Sequence, residues 1–422
     1  MLTVVAASWA LLLGIGLIML GNGLQGSLLG LRASLEGFST PVTGLVMSGY
    51  FVGFLAGSTL TPILVKRVGH IRVFTALASL ASASVLLHTI FISPSMWGLI
   101  RFVTGFCYAG LYVVSESWLN DRATNETRGQ LLSVYMIIQL GGFASGQLLL
   151  NLGDPGGYVL FILVSVLVSV ALVPISLTAG AAPSFEAPSH VGLRQLYDMS
   201  PLGVLGCMAV GVSNGALVGM GAVYAASIGL SLAQISIFMA IAVAGGVAFQ
   251  WPIGNLSDRL DRRQVITVVT FLAAVMALGA IAVSGVSVWG LFALVCLFGG
   301  LSLPMYTLCL AHTNDHLEPS QMVAASGTLV LVMGVGAIFG PTTAAVMMSL
   351  VGPNGFFWWL AIVHAAIGVF AVYRMSKRVA PSVDEHVHLV PVSPRCSPIA
   401  TALTLQDVRD HTDRDLARMS RL

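Results

Sequence analysis

Residues 101–116 place Arg101, Gly105, Tyr108, Tyr112 and Glu116 at intervals of three and four. In a helix that spacing puts them on one face, so a cation, two phenols and a carboxyl form a polar stripe through otherwise apolar sequence. A cation inside a membrane helix is costly and faces a cavity or a partner. The plainer alternative is an arginine that snorkels outward and only packs. Glu116 stands about 22 Å from Arg101 along the axis at 1.5 Å per residue, too far for the two to pair. Arg128 and Arg67, in the flanking loops, are its expected partners. That makes an ion pair with one of them the leading chemistry, with a plain interfacial charge and a carboxyl that carries a proton as alternatives.

A second group of polar residues is spread through the apolar stretches: Asn22, Gln25, Tyr112, Gln139, Gln147, Asn214, Gln250 and Tyr306. Amides and phenols can hydrogen-bond a neutral or zwitterionic solute in a dry site, although an amide in a membrane helix more often bridges two helices. These eight are the candidate substrate-binding residues. No metal cluster, phosphate loop or nucleophilic constellation stands out. We therefore expect no cofactor, no enzyme chemistry and no nucleic-acid partner.

The elements that must position these residues follow from charge. Of 422 residues, 56% are hydrophobic and only 9% charged, against roughly 25% charged in a soluble domain, so lipid must be the main solvent. No Asp, Glu, Lys or Arg occurs in 1–31, 37–65, 73–100, 129–153, 155–185, 199–257, 264–314 or 319–373. The three longest intervals divide at Ser227-Ile228-Gly229, Ser284-Gly285 and Gly352-Pro353-Asn354-Gly355. A helix needs about 20 apolar residues to cross a bilayer. Twelve spans result, near 6–30, 41–65, 72–93, 96–119, 129–152, 156–178, 201–227, 231–254, 265–284, 288–312, 322–350 and 354–373. Basic residues collect in the loops after even-numbered spans and in the tail from Arg374 to Arg421, while the opposite loops hold only Arg32. The positive-inside rule then puts both termini in the cytoplasm.

The halves repeat at an offset of 192–194 residues. Asn22-Gly23 matches Asn214-Gly215; Gly105, Tyr112 and Asn120-Asp121 match Gly299, Tyr306 and Asn314-Asp315; Gly142-x-x-x-Gly146 matches Gly336-x-x-x-Gly340. The repeat places Asn22 and Asn214 each on the first span of a half, which ranks them first among the binding candidates. Two six-helix bundles can rock about a central site, the basis of alternating access. The expected organisation is an N-terminal bundle at 1–179, a cytoplasmic linker at 180–200, a C-terminal bundle at 201–374 and a polar tail at 375–422.

The loop Gly254-Asn-Leu-Ser-Asp258-Arg259-Leu-Asp261-Arg262-Arg263 resembles the G-x-x-x-D-R-x-G-R-R signature of the major facilitator superfamily, with Asp261 in place of the second Gly. The first-half copy keeps Arg67 and Gly69 but has Pro62 and Lys66 where the family has Gly and Asp. Arg101-Phe-Val-Thr-Gly105 is similar to the family's R-x-x-x-G motif. Tyr112-Val-Val-Ser-Glu116-Ser-Trp-Leu followed by Arg128-Gly-Gln-Leu-Leu-Ser-Val-Tyr135-Met resembles the YcaD-like bacterial group.

The resemblance implies an all-α integral membrane protein with twelve spans in two pseudo-symmetric six-helix bundles. It implies a latch formed by Gly254, Asp258, Arg259 and Arg262, altered at Arg67 and Gly69, a gating ion pair of Glu116 with Arg128 at the cytoplasmic end, and an Arg101 that biases a neighbouring protonatable group. His88 and His364 fall on peripheral helices, where packing is expected. The activity it implies is secondary active transport of a small solute, coupled to protons, by a monomer in the lipid bilayer of the bacterial inner membrane. The lack of acids in the first span and most others makes a strongly cationic substrate the less favoured class. The competing reading is a transporter-shaped sensor or assembly partner with little transport.

Overall fold

In a lipid core every backbone N–H and C=O must be satisfied within its own segment, so charge-free stretches of this length become helices. The computed structural model describes residues 8–122, 127–176 and 191–377; the side chains of Arg122, Arg128, Pro319, Ser320 and Val323 also lie outside the described set. Among the described residues, twelve helices are long and apolar enough to span a membrane. They are α1 (Trp9–Leu35), α2 (Thr40–Val68), α3 (His70–Ile90), α4 (Pro94–Asp121), α5 (Gln130–Leu152) and α6 (Val159–Ser176). The second half follows with α7 (Pro201–Ser227), α8 (Leu232–Arg259), α9 (Arg262–Val283), α10 (Val288–Asn314), α11 (Ala324–Val351) and α12 (Gly355–Lys377). The chain is a multi-pass, all-α membrane protein.

The sequence and the structure differ mainly at three places. α1 continues past residue 30 to Leu35, α8 past Gly254 to Arg259, α2 past Val65 to Val68 and α12 past residue 373 to Lys377, because long basic side chains at a helix end reach the interface without ending the helix. α10 is broken between Ser302 and Met305 at Leu303-Pro304. Proline removes an internal hydrogen bond, and the apolar run around it masks the break in a charge-based reading. The linker expected at 180–200 is described only from 191, where Leu193–Met199 forms a short helix. The tail is outside the described residues from 378 onward.

Glycines set the packing, and they set it twice. A Cβ on Gly23 or Gly146 would collide with the backbone of Phe143 or Leu20 respectively, so α1 and α5 touch backbone to backbone. Gly215 and Gly340 do the same for α7 and α11. Likewise Gly105 abuts the carbonyl of Tyr50 where α4 crosses α2, and Gly299 abuts that of Ala242 where α10 crosses α8. Small residues permit such close approach in membranes, and the repeat thus governs packing as well as sequence. Gly105→Val is expected to destabilise the folded protein by about 1–3 kcal/mol, the usual cost of forcing bulk into a filled contact. A lowered midpoint in detergent thermal unfolding checks this; an unchanged midpoint contradicts it.

α1 begins and α12 ends at one end of the bundle, the termini end, since the span number is even. At the opposite, far end the two halves meet. Ser48 on α2 and Thr342 on α11 share a hydrogen bond of 2.9 Å, and the Asn151 amide on α5 donates to Ser236 on α8 at 2.8 Å. Gly44 lies against Pro341 and Ala345, and Gly30 against Val223. Arg32 fastens the α5–α6 loop to the end of α1. Its Nε donates to Glu36 at 2.6 Å, and its Nη1 donates to the carbonyls of Pro155 at 3.3 Å, Gly157 at 3.1 Å and Gly156. This is a structural use for Arg32, which lies in the last turn of α1 rather than in a loop.

Candidate central solute site

On the termini side of these far-end contacts, a cavity of about 930 Å³, counting the space open to solvent, lies between the two halves. Asn22 and Gly26 from α1, Tyr50, Phe51 and Phe54 from α2, Arg101 and Tyr112 from α4 and Phe143 from α5 form one wall. Gly211 and Asn214 from α7, Leu303 from the break in α10, and Val330, Met333 and Gly334 from α11 form the other. A membrane-embedded pocket that is mostly apolar, with a few polar groups converging on it, is the usual form of a small-solute site.

Asn22 is the hub of the first wall. Its amide donates to Tyr112 Oη at 2.7 Å and to Tyr50 Oη at 3.2 Å, and Tyr112 Oη in turn contacts Met19 Sδ at 3.7 Å. Tyr50 carries Arg101 over its ring face, with the guanidinium carbon 4.5 Å from the centroid. Arg101 is only 3% exposed, so it does not snorkel outward. Among the described residues no carboxyl stands beside it, and the cavity lining contains no Asp or Glu; its ionisable neighbours are Tyr50, Tyr108 and the buried His88 rather than an acid. Tyr50 is the residue that sequence reasoning missed. It carries no charge or amide, and its repeat equivalent, Ala242, is apolar.

Of the eight binding candidates, Asn22, Tyr112 and Asn214 line the cavity. Gln25 is fully buried in α1 away from the lining, with neither amide atom partnered among the described residues. Gln147 accepts a hydrogen bond from Ser27, tying α5 to α1. Gln250 donates to Thr307 at 2.9 Å, tying α8 to α10. Tyr306 is buried in the second part of α10. Gln147 and Gln250 turn toward neighbouring helices because an amide within apolar packing gains most from a nearby polar group. The remaining candidate, Gln139, belongs to a different network.

That network centres on Glu116, which is fully buried. Tyr135 Oη donates to Glu116 Oε1 at 2.9 Å, and Gln139 Nε2 donates to Tyr135 Oη at 3.2 Å. Tyr135, Gln139 and Phe143 follow one another at four-residue steps on α5, so the chain of contacts climbs from Glu116 toward the cavity, which Phe143 lines. Tyr112 lies one turn above Glu116 on α4 and lines the cavity itself. The expected partner Arg67 is exposed and makes no ion pair among the described residues, because it sits on the solvent side at the end of α2. The Arg128 side chain is outside the described residues.

The latch of the second half is assembled around Arg262. This side chain is 1% exposed and reaches Asp258 at 3.1 Å and Asp315, at the end of α10, at 3.0 Å. Arg259 is exposed instead, and Gly254 is buried in α8. Asp261, which replaces the family's glycine, caps α9 by accepting from the Arg263 backbone N–H at 2.9 Å, and pairs with the Arg263 side chain at 2.9 Å. Burial pushes the Asp261 carboxyl up, but the hydrogen bonds and charge of Arg263 outweigh it and hold it below the usual range. A depressed carboxyl stabilises above its unfolded value and loses that effect as pH falls through the folded one. Melting curves are therefore expected to lose this contribution only below about pH 4; loss near neutrality contradicts the assignment. In the first half, Gly69 adopts φ 90°, a turn that only glycine enters freely, which explains why it persists although Lys66 has replaced the acid.

Two glycine-packed six-helix halves around a central cavity, with a charged latch at the termini end, define the architecture of a rocking solute transporter. The sequence profile of the Major Facilitator Superfamily matches residues 11–303 and 202–406, and the chain belongs to that family. It is 30% identical over 355 residues to the uncharacterised MFS-type transporter YcaD of Escherichia fergusonii, covering 84% of this chain and 92% of that one. Its fold is similar to the crystal structure of the nucleoside transporter NupG (TM-score 0.70, 13% identity, 87% of this chain and 97% of that one). It is also similar to the D-xylose–proton symporter (TM-score 0.69, 12% identity, 90% and 99%). Members of this family are transporters, not enzymes, and secondary transport is the class of activity the chain belongs to.

Proposed function

We propose that the protein is a secondary active transporter that carries a small organic solute across the bacterial inner membrane by alternating access, coupled to protons. The central cavity supports this most directly: it is bounded by both halves, which are hydrogen-bonded to each other at the far end. With the termini in the cytoplasm, as the basic loops suggest, a far end held together is what an inward-facing arrangement requires. The bundles at 1–179 and 201–374 would rock as units about the linker, and one chain holds the whole site, as a monomeric transporter requires.

Glu116 is the group that couples the proton. Its burial and its bond from Tyr135 suit a carboxyl that changes charge during the cycle. Protonation removes the charge that would hold Arg128 and so releases the termini-end gate. Single charge reversals at Glu116 and Arg128 are expected to cut transport at least tenfold, and the swapped double variant to restore most of it, by the logic of a double-mutant cycle. A well-folded double variant as inactive as the singles removes the gate.

The experiment for the whole reading is solute uptake into proteoliposomes with an internal pH dye. Protein-dependent solute entry accompanied by proton movement is expected. No flux and no acidification over a broad panel, with a cellular phenotype lost on deleting 375–422, would replace it with the sensor reading.

A further inference from the structure

The central cavity contains a charge that nothing in it balances. Arg101 is 3% exposed, forms no ion pair among the described residues, and its Nε has no hydrogen-bond partner there. The Tyr50 ring at 4.5 Å offers a cation–π contact, which attracts a guanidinium but cancels none of its charge. A buried cation without a counter-charge is expensive, and the cost is sustained where a ligand supplies the missing anion. The nearest candidate counter-acids, among the described residues, lie elsewhere. Glu116 is about 22 Å away along α4, and Asp258 and Asp315 are held by Arg262.

We propose that the solute is a small organic monoanion, a carboxylate on an apolar body, whose charged group is held by Arg101. This rests on the transport reading above and names its substrate class. The planar guanidinium matches a carboxylate in two parallel hydrogen bonds. Phe51, Phe54 and Met333 give the apolar body its surroundings. Asn214, whose Oδ1 is buried without a partner among the described residues, accepts from a hydroxyl or amide elsewhere on the same solute. The uncompensated positive charge opposes cations, and the apolar walls disfavour a bare inorganic ion that cannot replace its hydration.

The test compares acid and amide pairs of equal shape: hexanoate with hexanamide and phenylacetate with phenylacetamide, with chloride alone as a third arm, by thermal shift of the purified full-length protein. The carboxylates are expected to raise the midpoint and the amides not. Arg101→Gln should weaken carboxylate binding about 10- to 100-fold, the loss of a charge-assisted hydrogen bond, while Arg101→Lys retains the preference for acid over amide. Preserved preference in the lysine variant keeps the result informative if the glutamine variant folds poorly. Equal binding of acid and amide, carboxylate binding unchanged in Arg101→Gln, or stabilisation by chloride alone overturns the anion assignment and leaves the transport reading intact. Absence of any solute flux in the proteoliposome panel, by contrast, is the failure of the transport reading.

Discussion

Glu116→Gln is expected to abolish proton-driven accumulation while leaving exchange of solute between the two sides intact. Glutamine keeps the shape and can still meet the Tyr135 hydroxyl, which donates to Glu116 Oε1 at 2.9 Å, but it cannot take up and release a proton. With one proton per solute, a gradient of one pH unit supports about tenfold accumulation, since one pH unit corresponds to about 1.4 kcal/mol; at zero membrane potential the variant should reach only equal concentrations. An anion moving with one proton carries no net charge, so accumulation in the native protein should follow the pH gradient and ignore the membrane potential. Undiminished accumulation by Glu116→Gln would show that another group carries the proton.

The second large effect is expected at Arg262. Replacing it with Met leaves Asp258 and Asp315, 3.1 and 3.0 Å from its guanidinium, facing each other without the cation between them. Removing one member of a buried ionic cluster strands charge at a cost of about 3–5 kcal/mol, so the variant should melt far below the native protein. Adding Asp315→Leu should recover a substantial part, because the stranded carboxylate is then gone; this non-additivity is the signature of a contact. A single variant that melts like the native protein would mean that the latch contributes nothing to this conformation. The same comparison separates Arg262 from its exposed neighbour Arg259, whose substitution should have little effect.

The spans were legible because charge is so scarce in this chain that its gaps outline the helices. The glycine repeat was legible because close helix crossings admit little else. The stripe Arg101, Gly105, Tyr108, Tyr112 and Glu116 was equally readable, since a 3.6-residue period puts residues on a face. That period does not say which neighbour the face meets. For this reason Gln25, Gln147, Gln250 and Tyr306, read as solute contacts, lie away from the cavity, while Tyr50 is part of it. Arg67 illustrates the same gap: its sequence position suits a partner for Glu116, yet it ends on the solvent side of α2. The break at Leu303-Pro304 escaped notice because proline is tolerated in membrane helices, although it puts Leu303 into the cavity wall.

Opening and closing of the far end around the cavity is expected to be what moves solute. Cysteines at Ser48 and Thr342, whose hydroxyls are 2.9 Å apart across the two halves, introduced into a variant lacking the five native cysteines, would lock that end shut when oxidised. Proteoliposomes loaded with a metabolite mixture can then be followed by mass spectrometry before crosslinking, after it, and after reduction. Protein-dependent movement of a small organic solute that stops on crosslinking and returns with reductant is the predicted result. Movement indifferent to the crosslink, with the disulfide shown to have formed, would contradict it.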